Sequence, residues 1–251
     1  MATWVDTHCH LQLAEAGTDE LLDRAAAVGV GWVVAPGTDE RTSTQSMILA
    51  TRYPGRVIGT AGLHPHDADR WPQVADRIAE LGEVAGAIGE CGLDFYRNLS
   101  PPEAQLAAFR AQVAMAARLD KPLIVHCRDA FTEVHDVLEE EGAGERVVLH
   151  CWTGGPRWTR RFDALGVTFS FAGPVAFETG DTVRRGAAVA SPDRCMVETD
   201  TPYLTPPPHR GLPNEPANVV RVGEALAAVW GTTADEVARL TTATAQRVFR
   251  S

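Results

Sequence analysis

Two periodicities alternate along this chain. Short runs rich in β-branched residues or glycine, at 4–8, 30–35, 57–63, 84–89, 123–126, 146–150, 166–171 and 195–199, read as strands. Between them lie stretches with apolar residues at helical spacing. Residues 18–28 (TDELLDRAAAV) open on Thr18 and two acids, as a capped helix start does. From Pro101 to Leu119 a proline lies near the first turn and alanines fill the body. Residues 130–142 end on Gly142, and two further helices are predicted at 217–230 and 233–249. Strands alternating with helices in this way specify an α/β chain with a parallel sheet. At about 250 residues, eight repeats predict a (β/α)8 TIM barrel, with 1–251 as a single domain. An open doubly wound sheet would follow its first strand with a glycine-rich phosphate loop. Here the first strand runs into His8-Cys9-His10 instead. The proline-rich stretch 201–216 (TPYLTPPPHRGLPNEP) follows the last strand, where such barrels carry functional loops.

Composition narrows the setting. The chain has 251 residues, 45% of them hydrophobic and 22% charged, which suits a globular protein with room for a large core. The N-terminus lacks a basic-then-apolar leader and no apolar run approaches ~18 residues, so no membrane association is expected. Five cysteines without disulfide-like spacing point to a reducing, cytoplasmic setting. A net charge of −10 argues against a basic nucleic-acid coat protein. It leaves open an enzyme that reaches nucleic acid through bound cations. No obligate protein partner is predicted.

The candidate chemistry lies at the strand ends, where barrels hold their reacting groups. Strand side chains alternate faces, so His8 and His10 point the same way and Cys9 the other. Glu90 ends the fourth predicted strand, His126 the fifth, His150 the sixth and Asp200 the eighth. His126 shares a face with Ile124, and His150 with Val148. These six imidazole or carboxylate groups are the expected metal ligands. One ion needs three or four protein ligands. Six, with Glu90 able to bridge, fit two divalent ions about 3.5–4 Å apart. A donor set without thiolate suits Zn, Mn, Ni, Co or Mg. Cys9, Cys91, Cys127 and Cys151 each directly follow a ligand and are expected to turn away from it, as small buried hydrophobes.

These motifs resemble the TatD family of metal-dependent deoxyribonucleases, within the wider metallo-dependent hydrolase barrels. The likeness rests on DTHCH (6–10), GLHPHD (62–67), GECGLD (89–94), HCRDA (126–130), HCWTG (150–154), ETDTPYL (198–204) and NEP (214–216), in the family's order. The resemblance implies metal ligands at His8, His10, Glu90, His126, His150 and Asp200, and a phosphate-facing role for His64. It implies DNA as substrate, degraded from the 3′ end or nicked at damaged sites, with Mg²⁺ or a similar ion. Two positions depart from the pattern. Leu212 and Pro213 precede NEP where relatives often carry a basic residue, and FETG (177–180) lacks a lysine often found there. Both changes remove positive charge from the rim.

The expected reaction is phosphodiester hydrolysis. Asp200 would bind an ion and take the proton of the attacking water, and Glu90 would bridge or complete the second site. His64 would donate to a phosphate oxygen or bind a third ion; the plainer alternative is a residue ordering the turn at 64–66. Asp6 and Glu198 would orient ligands or pair with each other in the core, and Asp94 would be a turn or outer residue. Arg128 shares the face of His126 and is expected to contact phosphate, as is Arg210 in the proline-rich loop with His209 beside it. Arg157, Arg160 and Arg161 are weaker candidates. Trp152, Tyr203 and Phe95 would stack on bases or line the pocket; His66 is a poorer catalytic candidate than His64, and His135 is given no role. Two competing functions remain: hydrolysis of a small-molecule ester, amide or phosphate ester at the same site, and metal-stabilised binding without turnover.

Overall fold

The computed structural model describes residues 3–250. Strands β1 (Trp4–Asp6), β2 (Val30–Ala35), β3 (Val57–Ala61), β4 (Ala87–Asp94), β5 (Leu123–Arg128), β6 (Val147–Leu149), β7 (Thr168–Phe171) and β8 (Cys195–Val197) occur in that order, all parallel where paired. The helices are α1 (Thr18–Ala27), α2 (Glu40–Arg52), α3 (Trp71–Val84), α4 (Pro102–Leu119), α5 (Phe131–Glu140), α6 (Pro156–Ala164), α7 (Asp181–Ala187), α8 (Val219–Trp230) and α9 (Ala234–Phe249). This is the eightfold β/α repeat of a TIM barrel. No helix of the described residues is long and apolar enough to cross a membrane.

Two compact units are distinguishable, one of residues 1–35, 151–163 and 168–251, the other of 36–150 and 164–167. In the first, β1 pairs with β2 and β7 with β8. The segment just past β1 meets the end of β8 and the residues after it: the Thr7 amide donates to Val197 O (3.1 Å) and the Asp200 amide to His8 O (2.9 Å). Trp152 packs edge-on to Phe162 and tilted on Phe169, with ring centroids 5.3 and 5.2 Å apart. Its indole N–H donates to Thr159 Oγ1. Trp152 is thus a core residue and not a base-stacking one.

In the second unit, β3, β4, β5 and β6 pair in sequence. Ile78, Ile88, Leu93, Phe109 and Ile124 are among its fully buried side chains. Helix α2 begins with a capping box: Asp39 Oδ1 accepts from the Thr42 amide (2.6 Å), and Thr42 Oγ1 accepts from the Asp39 amide (2.9 Å). Helix α4 carries two buried glutamines. Gln105 Oε1 accepts from the Asp94 amide (2.9 Å), while Gln112 brackets Leu63, accepting from its amide (2.7 Å) and donating to its carbonyl (3.1 Å). The helix therefore fixes two loop entrances of this unit.

Three expectations shift. β1 ends at Asp6, so His8 and His10 lie just beyond it. β4 runs on to Asp94, which puts Glu90 mid-strand, where the pairing with β5 changes register between Ile88 and Cys91. Such irregularities re-aim a side chain. The N-cap of α1 is Gly17, with no side-chain cap from Thr18.

Close packing of β4 on β5 depends on Gly92, whose φ is +132° and whose missing Cβ would lie 2.0 Å from His126 O. Gly92→Ala is expected to cost about 3 kcal/mol, from clash and backbone strain together. Urea denaturation checks this; an unchanged midpoint would contradict the packing described.

Candidate active site

The first unit gathers His8, His10 and Asp200. The two Nε2 atoms are 3.2 Å apart, and Asp200 Oδ1 is 3.8 Å from His8 Nε2 and 3.5 Å from His10 Nε2. Ligands bound to one ion at 2.0–2.2 Å stand roughly 3.3–3.6 Å from each other. The three distances bracket that range, so the triad can close on an ion with shifts of a few tenths of an ångström. Asp200 holds a left-handed backbone (φ 59°), a conformation Asp tolerates better than most residues. Asn214 fastens the chain on both sides of it: the side-chain amide donates to Thr199 O (2.9 Å) and Tyr203 O (2.7 Å), and the main-chain N–H to Pro202 O (3.0 Å).

Asp6 acts one layer below. Its carboxylate accepts from Thr199 Oγ1 (2.6 Å), the Thr199 amide (2.9 Å) and the His8 amide (3.3 Å), so it fixes the backbones leading to both His8 and Asp200. Burial pushes the Asp6 carboxyl up to about 8, against the opposing pull of those hydrogen bonds. Glu198 accepts from the Cys151 amide (2.8 Å), and its charge raises Asp6 further rather than pairing with it.

The second unit centres on Glu90. Its Oε1 is 3.3 Å from His64 Nε2, 3.2 Å from His126 Nδ1 and 3.0 Å from His150 Nε2. Hydrogen bonds to the other ring nitrogens distinguish His126 from His64. His126 Nε2 faces Asp94 Oδ2 at 3.1 Å, which sets its proton there and turns the Nδ1 lone pair toward Glu90. His64 Nδ1 accepts from the His66 amide at 3.2 Å, which puts the His64 proton on Nε2. His126 is thus presented as a ligand and His64 as a donor. Burial holds the His64 imidazole down to about 4, against Glu90, so the ring is neutral near pH 7. For His126, burial also disfavours charge, but the Asp94 and Glu90 carboxylates favour the protonated ring and together raise the group.

Asp94 is buried, and its two oxygens take three donors: His66 Nε2 (3.0 Å) and His126 Nε2 on Oδ2, the Arg97 amide (2.8 Å) on Oδ1. Burial alone would raise it, yet the bonds from His126, Arg97 and His66 hold it well below the ordinary carboxylate range. From sequence, His66 is a poorer catalytic candidate than His64 and Asp94 a turn or outer residue. In the structure both orient the imidazoles around Glu90.

Cys9 and Cys91 turn away from these clusters, whereas Cys127 and Cys151 are only partly buried and not the buried hydrophobes expected. Cys9 and Cys91 are fully buried, with thiols against Val34 O and Ile124 O, and burial pushes both thiols, and that of Cys127, upward. No disulfide forms among the described residues.

A model of the TatD-related DNase family matches residues 5–250. The chain belongs to this family. It is 38% identical to an uncharacterized metal-dependent hydrolase of Bacillus subtilis, YabD, covering 98% of both chains. It is equally 38% identical to the 3′-5′ ssDNA/RNA exonuclease TatD of Pectobacterium parmentieri, over 94% of both. Among solved structures it superposes on the TatD homologue YJJV of Escherichia coli K12 with a TM-score of 0.86 at 26% identity, covering 99% of this chain and 98% of that one. This protein is therefore a TatD-type metal-dependent hydrolase with the TIM-barrel fold.

The cations expected on the rim of this TatD-type chain are accounted for separately. Arg128 ends β5, exposed, with its guanidinium 3.9 Å over the Tyr96 ring. Arg210 sits 3.9 Å over Phe177 and donates to Thr205 O. Arg157 and Arg161 lie against Trp158. His135 is buried within α5.

Two variants test the supports. Asp94→Asn should lower divalent-ion affinity about 10- to 100-fold by calorimetric titration, because the His126 tautomer is no longer fixed. Asn214→Ala should cost about 1–3 kcal/mol in thermal or urea denaturation, with Thr199 O and Tyr203 O losing their donor. Unchanged ion affinity, or unchanged stability, would contradict the respective role.

Proposed function

We propose that this protein hydrolyses phosphodiester bonds of DNA, as a nuclease working from 3′ ends or at repair sites, with 1–251 as one catalytic domain. The observation that carries the reading is the pairing of Asp94 with His126. It leaves a lone pair and a carboxylate oxygen 3.2 Å apart, an arrangement that a cation relieves. Family membership and relatives named as 3′-5′ ssDNA/RNA exonucleases support the substrate class.

The proposed ligands are His8, His10 and Asp200 for one divalent ion, and Glu90, His126 and His150 for a second. Their nitrogen and oxygen donors suit Mg, Mn, Zn, Ni or Co. Bound ions would polarise the phosphate and lower the pKa of the attacking water. Asp200 would take the proton from the attacking water, with the backbone on either side of it held by the Asn214 clamp. His64 Nε2–H, which faces Glu90 Oε1 at 3.3 Å, would turn to a phosphate oxygen once an ion takes up Glu90, the donor role its tautomer suits. Arg128 and Arg210 meet flanking phosphates. Cytoplasmic action is part of the same reading, consistent with unpaired thiol chemistry at buried cysteines.

The deciding experiment is digestion of a 5′-labelled DNA oligonucleotide by metal-stripped protein, with Mg²⁺, Mn²⁺ or Zn²⁺ restored. A metal-dependent ladder shortening from the 3′ end is expected. Asp200→Asn, which keeps the left-handed backbone tolerable, should lose at least about 100-fold in kcat while losing far less metal binding. Activity should also fall steeply as salt rises. Tight metal binding without cleavage under any ion would contradict the nuclease reading and leave a small-molecule ester, amide or phosphate ester as substrate.

A further inference from the structure

A groove of about 720 Å³ opens beside the His8–His10–Asp200 cluster, between residues 13–16 and the proline-rich loop. Neither the metal clusters nor the general-base role uses it. Tyr203 forms part of its wall, 54% exposed although it is a large aromatic side chain. The ring centroid is 6.3 Å from that of His10, at 69°. The groove is preformed by bonds within its own loop. Asn214 holds Tyr203 O, Thr205 Oγ1 donates to Leu212 O (2.6 Å), and Arg210 donates to Thr205 O (3.1 Å). Leu13, Leu204 and Leu212 supply apolar walls.

Charge distinguishes what this groove can take. Its lining includes Arg24 and Arg210 against Glu15 and Glu215, which cancel formally. Arg24 is further committed to Glu20 and Glu215, its Nε lying 2.6 Å from Glu215 Oε2. Beyond the flanking phosphate assigned to Arg210, a further phosphate gains little from such a surface, whereas a flat, neutral, hydrogen-bonding ring gains an aromatic face and apolar walls. Resting on the nuclease reading above, we infer that this groove binds the 3′-terminal nucleobase of a single-stranded substrate, stacked on Tyr203, while its phosphate engages the neighbouring His8–His10–Asp200 cluster. Tyr203 is thereby a substrate-binding residue that discriminates for a base and not for a sequence, because every base presents a π-face.

The test uses metal-loaded enzyme and two single-stranded oligonucleotides identical except at the 3′ terminus, one bearing a base and the other an abasic tetrahydrofuran residue. Wild type should remove the base-bearing terminus with kcat/KM about tenfold or more above the abasic one. Tyr203→Ala should lose that preference, mainly through KM, and Tyr203→Phe should keep it. In a second arm, metal-free protein is titrated against an oligonucleotide with 3′-terminal 2-aminopurine. Wild type should quench its fluorescence, and Tyr203→Ala should raise Kd about tenfold. Equal cleavage of the two substrates by wild type, or an undiminished preference in Tyr203→Ala, would overturn the inference while the nuclease reading stands. Cleavage of neither oligonucleotide would overturn that reading, and the inference with it.

Discussion

The feature on which the rest depends is the carboxylate–imidazole chain Glu90–His126–Asp94. Asp94 is buried and held anionic by three donors, so the His126 proton stays on the Asp94 side. Glu90 then faces a nitrogen lone pair at 3.2 Å. Two electron-rich atoms at that separation favour a cation beside them, and the two carboxylates, Asp94 and Glu90, raise the ring toward protonation against the effect of burial. His64 shows the converse wiring, with its lone pair on the His66 amide and its proton toward Glu90. Two imidazoles beside one oxygen thus acquire different chemistry from bonds made at their far sides.

The scaffold serves this arrangement through buried polar groups. Gln105 and Gln112 belong to α4, yet their amides are spent on Asp94 and Leu63, the latter directly before His64. Asn214 does the same for the segment around Asp200, and Asp6 for the backbones of His8 and Thr199. Each buried amide or carboxylate is satisfied by the backbone it fixes, so positioning and polar satisfaction are achieved by the same bonds. Gly92 contributes in the opposite way: a missing side chain lets β4 approach the His126 carbonyl.

Much of this was legible in the sequence. All eight strands were visible because parallel strands read as short β-branched runs between helical periods. His8 with His10, and Glu90, His126, His150 and Asp200, stood out because chemistry-bearing residues recurred at one end of the repeat. Periodicity could not reveal the register shift that brings Glu90 into mid-strand, since that depends on pairing between β4 and β5. Nor could it reveal the tasks of Gln105 and Gln112, whose alanine-rich surroundings read simply as helix. The NEP triplet was recognisable as a motif, but its clamp on Asp200 is a tertiary contact. Trp152 lay two residues after a ligand histidine and suggested stacking, while its actual partners, Phe162 and Phe169, come from the next helix and the next strand, whose packing on it periodicity does not show.

The most direct test of the central claim is nitrogen-resolved NMR of the His126 ring in metal-free protein titrated with Zn²⁺. The account predicts that Nδ1 takes the metal while Nε2 keeps its proton on Asp94. Coordination through Nε2, or a His126 ring unperturbed by stoichiometric zinc, would contradict it.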